Sequence, residues 1–304
     1  MPTLTIKHVT TYEYKQPVGF GEHRMMLRPR DGHDQSLIDA RIVITPTPTS
    51  IRRTLDAFGN HVDVVRFADR AKKLRFESTV RLDHCHAEFQ GLDIEEFART
   101  YPFAYGAEEM TDLIPLIERK SSDPDGPVAQ WARGFLRRDR PTSTHELLID
   151  LTQGIKRTFK YARRHEKGVQ TPEQTLALGS GSCRDLAMLM IDAARSLGMA
   201  ARFVSGYLNI PDDEHGGGNT HAWAQVYLPG PGWVDFDPSS GIVGNRDLIR
   251  VAVVRDPRQA IPLHGTWMGS ASDFLRMQVE VAVTSGAGKS EGRAPKTSTR
   301  RAVG

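Results

Sequence analysis

The chain has 304 residues, room for two domains of the usual ~100–200 residues, and its 39% hydrophobic and 25% charged side chains are those of an ordinary soluble globular protein. Its formal charge of +3 is uneven: residues 285–304 carry five Lys and Arg against Glu291, a net +4, so the body stands at −1 and a nucleic-acid groove is excluded. Two distant cysteines, Cys85 and Cys183, exclude a disulfide framework, and the chain has neither an apolar run of ~18 residues nor a signal-peptide pattern at Met1–Lys7; the expectation is a reduced, cytoplasmic protein that makes no membrane contact.

Residues 1–88 read as a β-rich module. Leu4, Ile6, His8, Thr10, Tyr12 and Tyr14 share one parity, as do Ala40, Ile42 and Ile44, and Leu74, Phe76, Ser78, Val80 and Leu82. Period two over β-branched and aromatic residues predicts strands with one packed face. Pro29–Gly32, Pro46–Pro48 and Phe58–Asn60 supply the turns between them, and strands without intervening helices suggest a small β-sandwich.

Residues 89–284 read as a second domain, helices first and antiparallel strands after. Val128, Trp131 and Phe135 form one helical stripe; Leu147, Leu151, Ile155 and Phe159 form another, opened by Ser143 and Glu146 as a capping box. Leu186, Met190, Ala193 and Leu197 make a third, stopped by Gly198. Strands are predicted at 202–208, 221–228, 232–236, 248–254 and 275–283. Helices and strands kept apart in sequence indicate an α+β fold. The tail, 285–304, lacks aromatics and reads as disordered and basic.

Cys183 stands in Gly179-Ser180-Gly181-Ser182-Cys183-Arg184-Asp185, directly before the third stripe, with Ser182 and Asp185 spaced to cap that helix. A thiol at a helix N-terminus meets partial positive charge and unpaired N–H groups, which favour the nucleophilic thiolate. On the strand after Thr220, alternation puts His221, Trp223, Gln225 and Tyr227 on one face, expected to look into a site or cleft, and Ala222, Ala224, Val226 and Leu228 on a core face. Asp235 and Asp237 share parity on the next strand, and either carboxylate is placed to hold the far nitrogen of the His221 ring. His84-Cys85-His86 and Asp212-Asp213-Glu214 invite metal readings, but the first lacks partner ligands and the second lacks the spacing of a calcium loop; no metal or other cofactor is expected.

The order Gly181-Ser-Cys183-Arg-Asp185, Ala194-Arg-Ser-Leu-Gly198, Ala201-Arg-Phe-Val-Ser-Gly-Tyr207, His221-Ala-Trp223 and Gly232-Trp233 with Asp237-Pro238 resembles the bacterial transglutaminase-like superfamily, whose fold is related to that of papain-like cysteine proteases. Ile6–Val18, Leu27–Arg30 and Asp56–Asn60 resemble the β-rich N-terminal module of the same group. The resemblance implies a papain-like core, assigns the triad Cys183, His221 and Asp237, and puts Ser239 where the family carries Thr and Gln225 where it often carries Glu. It implies a cysteine-dependent amide hydrolase or acyltransferase acting on a peptide or protein amide through a thioester, with a non-catalytic binding scaffold or an amine-crosslinking transglutaminase as the alternatives. The Cys183 N–H is a candidate oxyanion donor, Tyr161 or Gln170 a candidate second donor, and Trp223, Gln225 and Trp233 candidate site walls.

Overall fold

The computed structural model describes residues 2–85, 93–119, 125–164, 166, 168–209 and 220–285. His86, His165, the Asp212–Glu214 loop and the tail from residue 286 on lie outside the described residues.

Five strands open the chain: β1 (Thr3–Met25), β2 (Gln35–Thr45), β3 (Ser50–Leu55), β4 (His61–Arg66) and β5 (Ala71–His84). A mixed segment follows, with β6 (Thr100–Tyr101), α1 (Ala107–Ile117), α2 (Pro127–Arg133), β7 (Thr142–Ser143), α3 (Thr144–Thr158), β8 (Lys160–Tyr161), α4 (Pro172–Leu178), β9 (Ser180–Gly181) and α5 (Cys183–Ser196). The chain then returns to strands: β10 (Ala201–Leu208), β11 (Thr220–Leu228), β12 (Gly232–Asp237), β13 (Ile242–Val243), β14 (Leu248–Val254), β15 (Leu263–Met268) and β16 (Phe274–Ser285). The architecture is α+β, a β-rich N-terminal region beside a helix-and-sheet core.

β1 organises the first sheet. Its first half pairs antiparallel with β5 (Thr3↔Asp83 to Glu13↔Lys73) and with β16 (Leu4↔Ser285 to Glu13↔Arg276). Its second half pairs with β15 and with β4. Register shifts after Glu13 separate the halves, and Tyr14, Val18, Phe20, Met25, Val65, Leu74 and Phe76 pack together as one apolar cluster. One long strand thus serves both layers of a sandwich-like module. The strand predicted at 275–283 belongs here and not to the second sheet, and Ser285, read as the first tail residue, is its last paired position.

The second sheet runs β13-β12-β11-β10-β14, antiparallel throughout. α5 lies on it: Leu186, Ala187, Met190 and Ala194 share one buried core with Ala222, Ala224, Val226 and Leu228, so the predicted core face of β11 is the face covered by the helix. α3 opens with the Ser143 side chain accepting from the Glu146 N–H at 3.3 Å.

The two sheets meet through Leu4, Ile6, Val80 and Leu82 against Tyr207, Ile249 and Val251. β14 is the edge strand there, with backbone groups needing partners. Amide side chains of the N-terminal region supply them. Asn60 donates Nδ2–H to the Val253 carbonyl (2.8 Å) and accepts the Val253 N–H on Oδ1 (2.9 Å). Gln35 does the same at Arg250, at 2.8 and 3.0 Å.

Candidate active site

α4 ends at Gly179, whose φ of +60° is a left-handed helix stop that a side chain would strain. The chain then runs through β9, which pairs in parallel with β8 (Lys160↔Ser180, Tyr161↔Gly181), into the first turn of α5. Gly181 is needed for close approach, since a Cβ there would stand 2.7 Å from the Cβ of Asp185. Cys183 is the first residue of α5 and is buried.

Asp185 fixes this turn. It is fully buried, and one oxygen accepts from the Ser182 N–H (2.8 Å) and hydroxyl (2.7 Å), while the other accepts from Arg164 Nη1 and the Gln170 N–H, both at 2.8 Å. Burial opposes its charge, yet these donors hold its carboxyl below the ordinary range. The expected cap forms with the carboxylate as acceptor and Ser182 as donor. With the Ser182 N–H engaged there and the Asp185 N–H bonded to the Ser182 carbonyl, the first-turn N–H groups of Cys183 and Arg184 are left without an intrahelical partner.

His221 opens the well-paired part of β11, opposite Gly206 on β10. Its Nε2 meets Asp237 Oδ2 at 2.7 Å, and its ring is also hydrogen-bonded to the Cys183 thiol, so Nδ1 is the nitrogen left for the sulfur. All three side chains are nearly or wholly buried. Asp237 receives more: the Ser239 N–H and hydroxyl reach Oδ1 at 2.9 and 2.7 Å, and the Ser240 hydroxyl donates to Oδ2. Ser239 Oγ also lies 3.4 Å from His221 Nε2.

This arrangement separates charge. Burial works against ionising each member. For Asp237 the His221 charge and hydrogen bonds outweigh burial and push its pKa well below the carboxylate range. For His221 the Asp237 charge and hydrogen bond, with the Cys183 contact, raise the imidazole above its ordinary value. For Cys183 the His221 hydrogen bond and charge, aided by Arg184, pull the thiol below its ordinary value despite the opposing charge of Asp237. The combination favours thiolate facing imidazolium.

The choice between the two aspartates is settled by direction. Asp235 accepts from Trp223 Nε1 (2.6 Å) and from Arg250 Nη1 (3.3 Å), away from His221. Trp223 lies under the imidazole, ring centroids 6.1 Å apart and nearly parallel, and forms a wall of the site. Among the described residues this face forms no cleft: Trp223 and Gln225 are buried in a packed layer of polar and apolar side chains. Gln225 accepts from Arg202 Nε at 2.9 Å, and the Arg202 guanidinium sits 3.9 Å above the Trp233 ring. Burial of a whole face does not show in an alternation pattern, because Gln and Arg read as solvent-facing. Gln170 gives its N–H to Asp185 and accepts the Thr175 hydroxyl on its side-chain carbonyl (3.0 Å), while Tyr161 is exposed beside Gly181. Arg163-Arg164 reads in the sequence as a wet helix end or a small anion contact, and Arg164 binds the buried Asp185 carboxylate; the sequence reading missed Ser240, for which Asp237-Pro238-Ser239-Ser240 was the available signal. Among the described residues no three His, Cys, Asp or Glu side chains converge to hold a metal ion. His84 is buried and contacts the Leu248 carbonyl at 3.2 Å.

Comparison with known proteins agrees with this architecture. The Bacterial transglutaminase-like N-terminal region matches residues 4–83, and the Transglutaminase-like superfamily matches residues 129–238. Uncharacterized protein Rv2569c of Mycobacterium tuberculosis is 27% identical over 294 residues, 91% of each chain. Uncharacterized protein ML0607 of Mycobacterium leprae is 27% identical over 299 residues, 91% of this chain and 98% of that one. A crystal structure from Cytophaga hutchinsonii, described as a "Putative Cysteine Protease", has the same fold with a TM-score of 0.70 at 19% identity, over 97% of this chain and 94% of that one. With both of its characteristic regions matched in order, the chain belongs to the transglutaminase-like superfamily and carries that superfamily's bacterial N-terminal region.

Proposed function

We propose that the protein is a cysteine-dependent amide hydrolase that works through a thioester, with Cys183 as nucleophile, His221 as acid and base, and Asp237 as the group that orients His221. The observation that carries this reading is His221 held between the Asp237 carboxylate at 2.7 Å and the hydrogen-bonded Cys183 thiol. The thiolate attacks an amide carbonyl and forms the C–S bond. The oxyanion is received by the Cys183 N–H at the start of α5. His221 gives its proton to the leaving nitrogen as the C–N bond breaks. Water then attacks the thioester, His221 takes its proton, and the C–S bond breaks to release the acid. Water is the natural acceptor where nothing binds an amine. Two unbridged cysteines, Cys85 and Cys183, fit a reducing, cytoplasmic setting.

The test is the pH dependence of iodoacetamide alkylation, resolved by peptide mapping so that Cys85 serves as comparison within the same molecule. Cys183 is expected to alkylate well below the pH at which an ordinary thiol (pKa about 8.5) becomes reactive, and to lose this property in His221→Ala. Amide turnover is expected to vanish in Cys183→Ala, and added primary amine is expected not to divert the product. A Cys183 profile matching that of a model thiol overturns the reading, and amine incorporation replaces hydrolysis with crosslinking.

A further inference from the structure

Several basic side chains stand on the described segments next to the nucleophile, although residues 1–284 together are close to neutral. Between residues 156 and 167 the sequence holds six basic residues against one acidic, Glu166. Lys156, Lys160 and Arg164 of this stretch each contact a segment that carries the site. Lys156, in the last turn of α3, donates from Nζ to the Ser239 carbonyl at 2.8 Å, and Ser239 is itself bonded to Asp237. Lys160 is exposed on β8 and paired with Ser180, three residues before the nucleophile. Arg184 is half-buried, next to Cys183 in sequence. Among the described residues none of Lys156, Arg157, Lys160 or Arg184 has a carboxylate within ion-pair distance. Three carboxylates of these segments are engaged elsewhere: Asp185 with Arg164, Asp237 with His221, and Glu166 with Arg164 at 3.7 Å.

Fold stability explains only part of this. Lys156 and Arg157 complement the negative end of the α3 dipole. Arg184 does the opposite, standing in the first turn of α5, where a cation opposes the dipole. A cation there favours the thiolate and any anion brought to it, at the expense of the helix.

From this arrangement we infer that the site takes acidic substrates: peptide or protein segments with Asp or Glu close to the amide that is cleaved. The inference rests on the thiol-hydrolase reading above. Local positive potential around a nearly buried nucleophile raises the concentration of anionic segments and disfavours basic ones, and salt weakens it over a Debye length of about 8–10 Å.

The experiment uses the full chain and two tetrapeptide acyloxymethyl ketones that are identical except that two residues are Glu in one and Lys in the other. Rates of covalent labelling at Cys183 are each divided by the iodoacetamide rate of the same protein, which removes differences in thiolate content. The Glu probe is expected to label about tenfold faster than the Lys probe at low salt, with the ratio shrinking severalfold as ionic strength rises to about 0.5 M. In Lys160→Glu the ratio is expected to fall severalfold towards one. Equal rates, a preference for the Lys probe, or a ratio that neither salt nor Lys160→Glu moves would overturn the inference. The salt series needs no variant, so a misfolded mutant does not obscure the result. The iodoacetamide profile separately reports whether the thiolate reading itself fails.

Discussion

Asp237 is the most heavily hydrogen-bonded side chain of the site, and its environment explains what it does. His221 and the Ser240 hydroxyl share Oδ2, while Ser239 supplies Oδ1 with two donors. These donors favour the ionised carboxylate, which in turn favours a protonated imidazole opposite the thiol. Cys183, with its pKa depressed, is a thiolate above its lowered value and loses that state as pH falls through it. His221, with its pKa raised, remains imidazolium until pH climbs through the raised value. The ion pair occupies the window between the two. Asp237→Asn removes the charge while keeping the size, so the imidazolium loses its support and the window closes from its high-pH side. Amide turnover is expected to drop by about 10²- to 10⁴-fold, and the alkylation profile of Cys183 to move towards that of an ordinary thiol. Stopped-flow alkylation across pH checks this, and an unchanged profile would mean that Asp237 does not act through His221.

Among the elements, β14 shows how the N-terminal region contributes without touching the site. As the outer strand of the second sheet it presents a row of main-chain donors and acceptors, and Asn60 and Gln35 satisfy them at Val253 and Arg250 as a further strand would. The neighbouring Arg250 guanidinium reaches Asp34 on one side and Asp235 on the other, joining the two sheets through charge as well. Asn60→Ala leaves a buried N–H and carbonyl of Val253 unpaired. The expected loss is about 2–4 kcal/mol of unfolding free energy, with faster hydrogen exchange at the Val253 amide. Chemical denaturation with exchange mass spectrometry measures both, and unaltered exchange at Val253 would rule out the edge role.

At the scale of the whole molecule, the contact between the sheets contains a pH-sensitive residue outside the triad. His8 is buried, with Nδ1 2.9 Å from the Tyr207 hydroxyl and Nε2 3.0 Å from Thr10 Oγ1, and burial lowers its pKa to about 4. The unfolded chain binds a proton near pH 6.5, whereas the folded one resists it until about pH 4. Stability from this group is therefore complete above the unfolded value and is lost as pH falls between the two, by on the order of 3 kcal/mol at 1.36 kcal/mol per unit. Melting temperature is expected to fall across that range and to do so less steeply in His8→Gln. An identical slope in the variant would exclude His8 as the source.

Much of this was legible in the sequence, for reasons that differ by element. The parity of Leu4 to Tyr14 and the stripe after Cys183 report local burial, so the strands and α5 fell where expected. The motif order around Cys183, His221 and Asp237 carried the site. Partnership between distant segments leaves no such trace: nothing in Phe274–Ser285 says that it pairs with β1 in preference to β14. The face of β11 that carries Trp223 and Gln225 reads as lining a cleft, yet Arg202 and the Asp235–Arg250 pair of neighbouring strands cover it with satisfied hydrogen bonds.

The pairing of Leu4 with Ser285 has a consequence for the order of assembly. During synthesis β1 emerges first and β16 last of the described strands, so one edge of β1 stays open until residues 274–285 have left the ribosome. Every residue of the thiol centre is translated inside that interval. Closure of the first sheet is therefore a late, long-range step of the slow kind, and a nascent chain stopped before residue 274 would hold the nucleophile while still exposing an unpaired strand to aggregation.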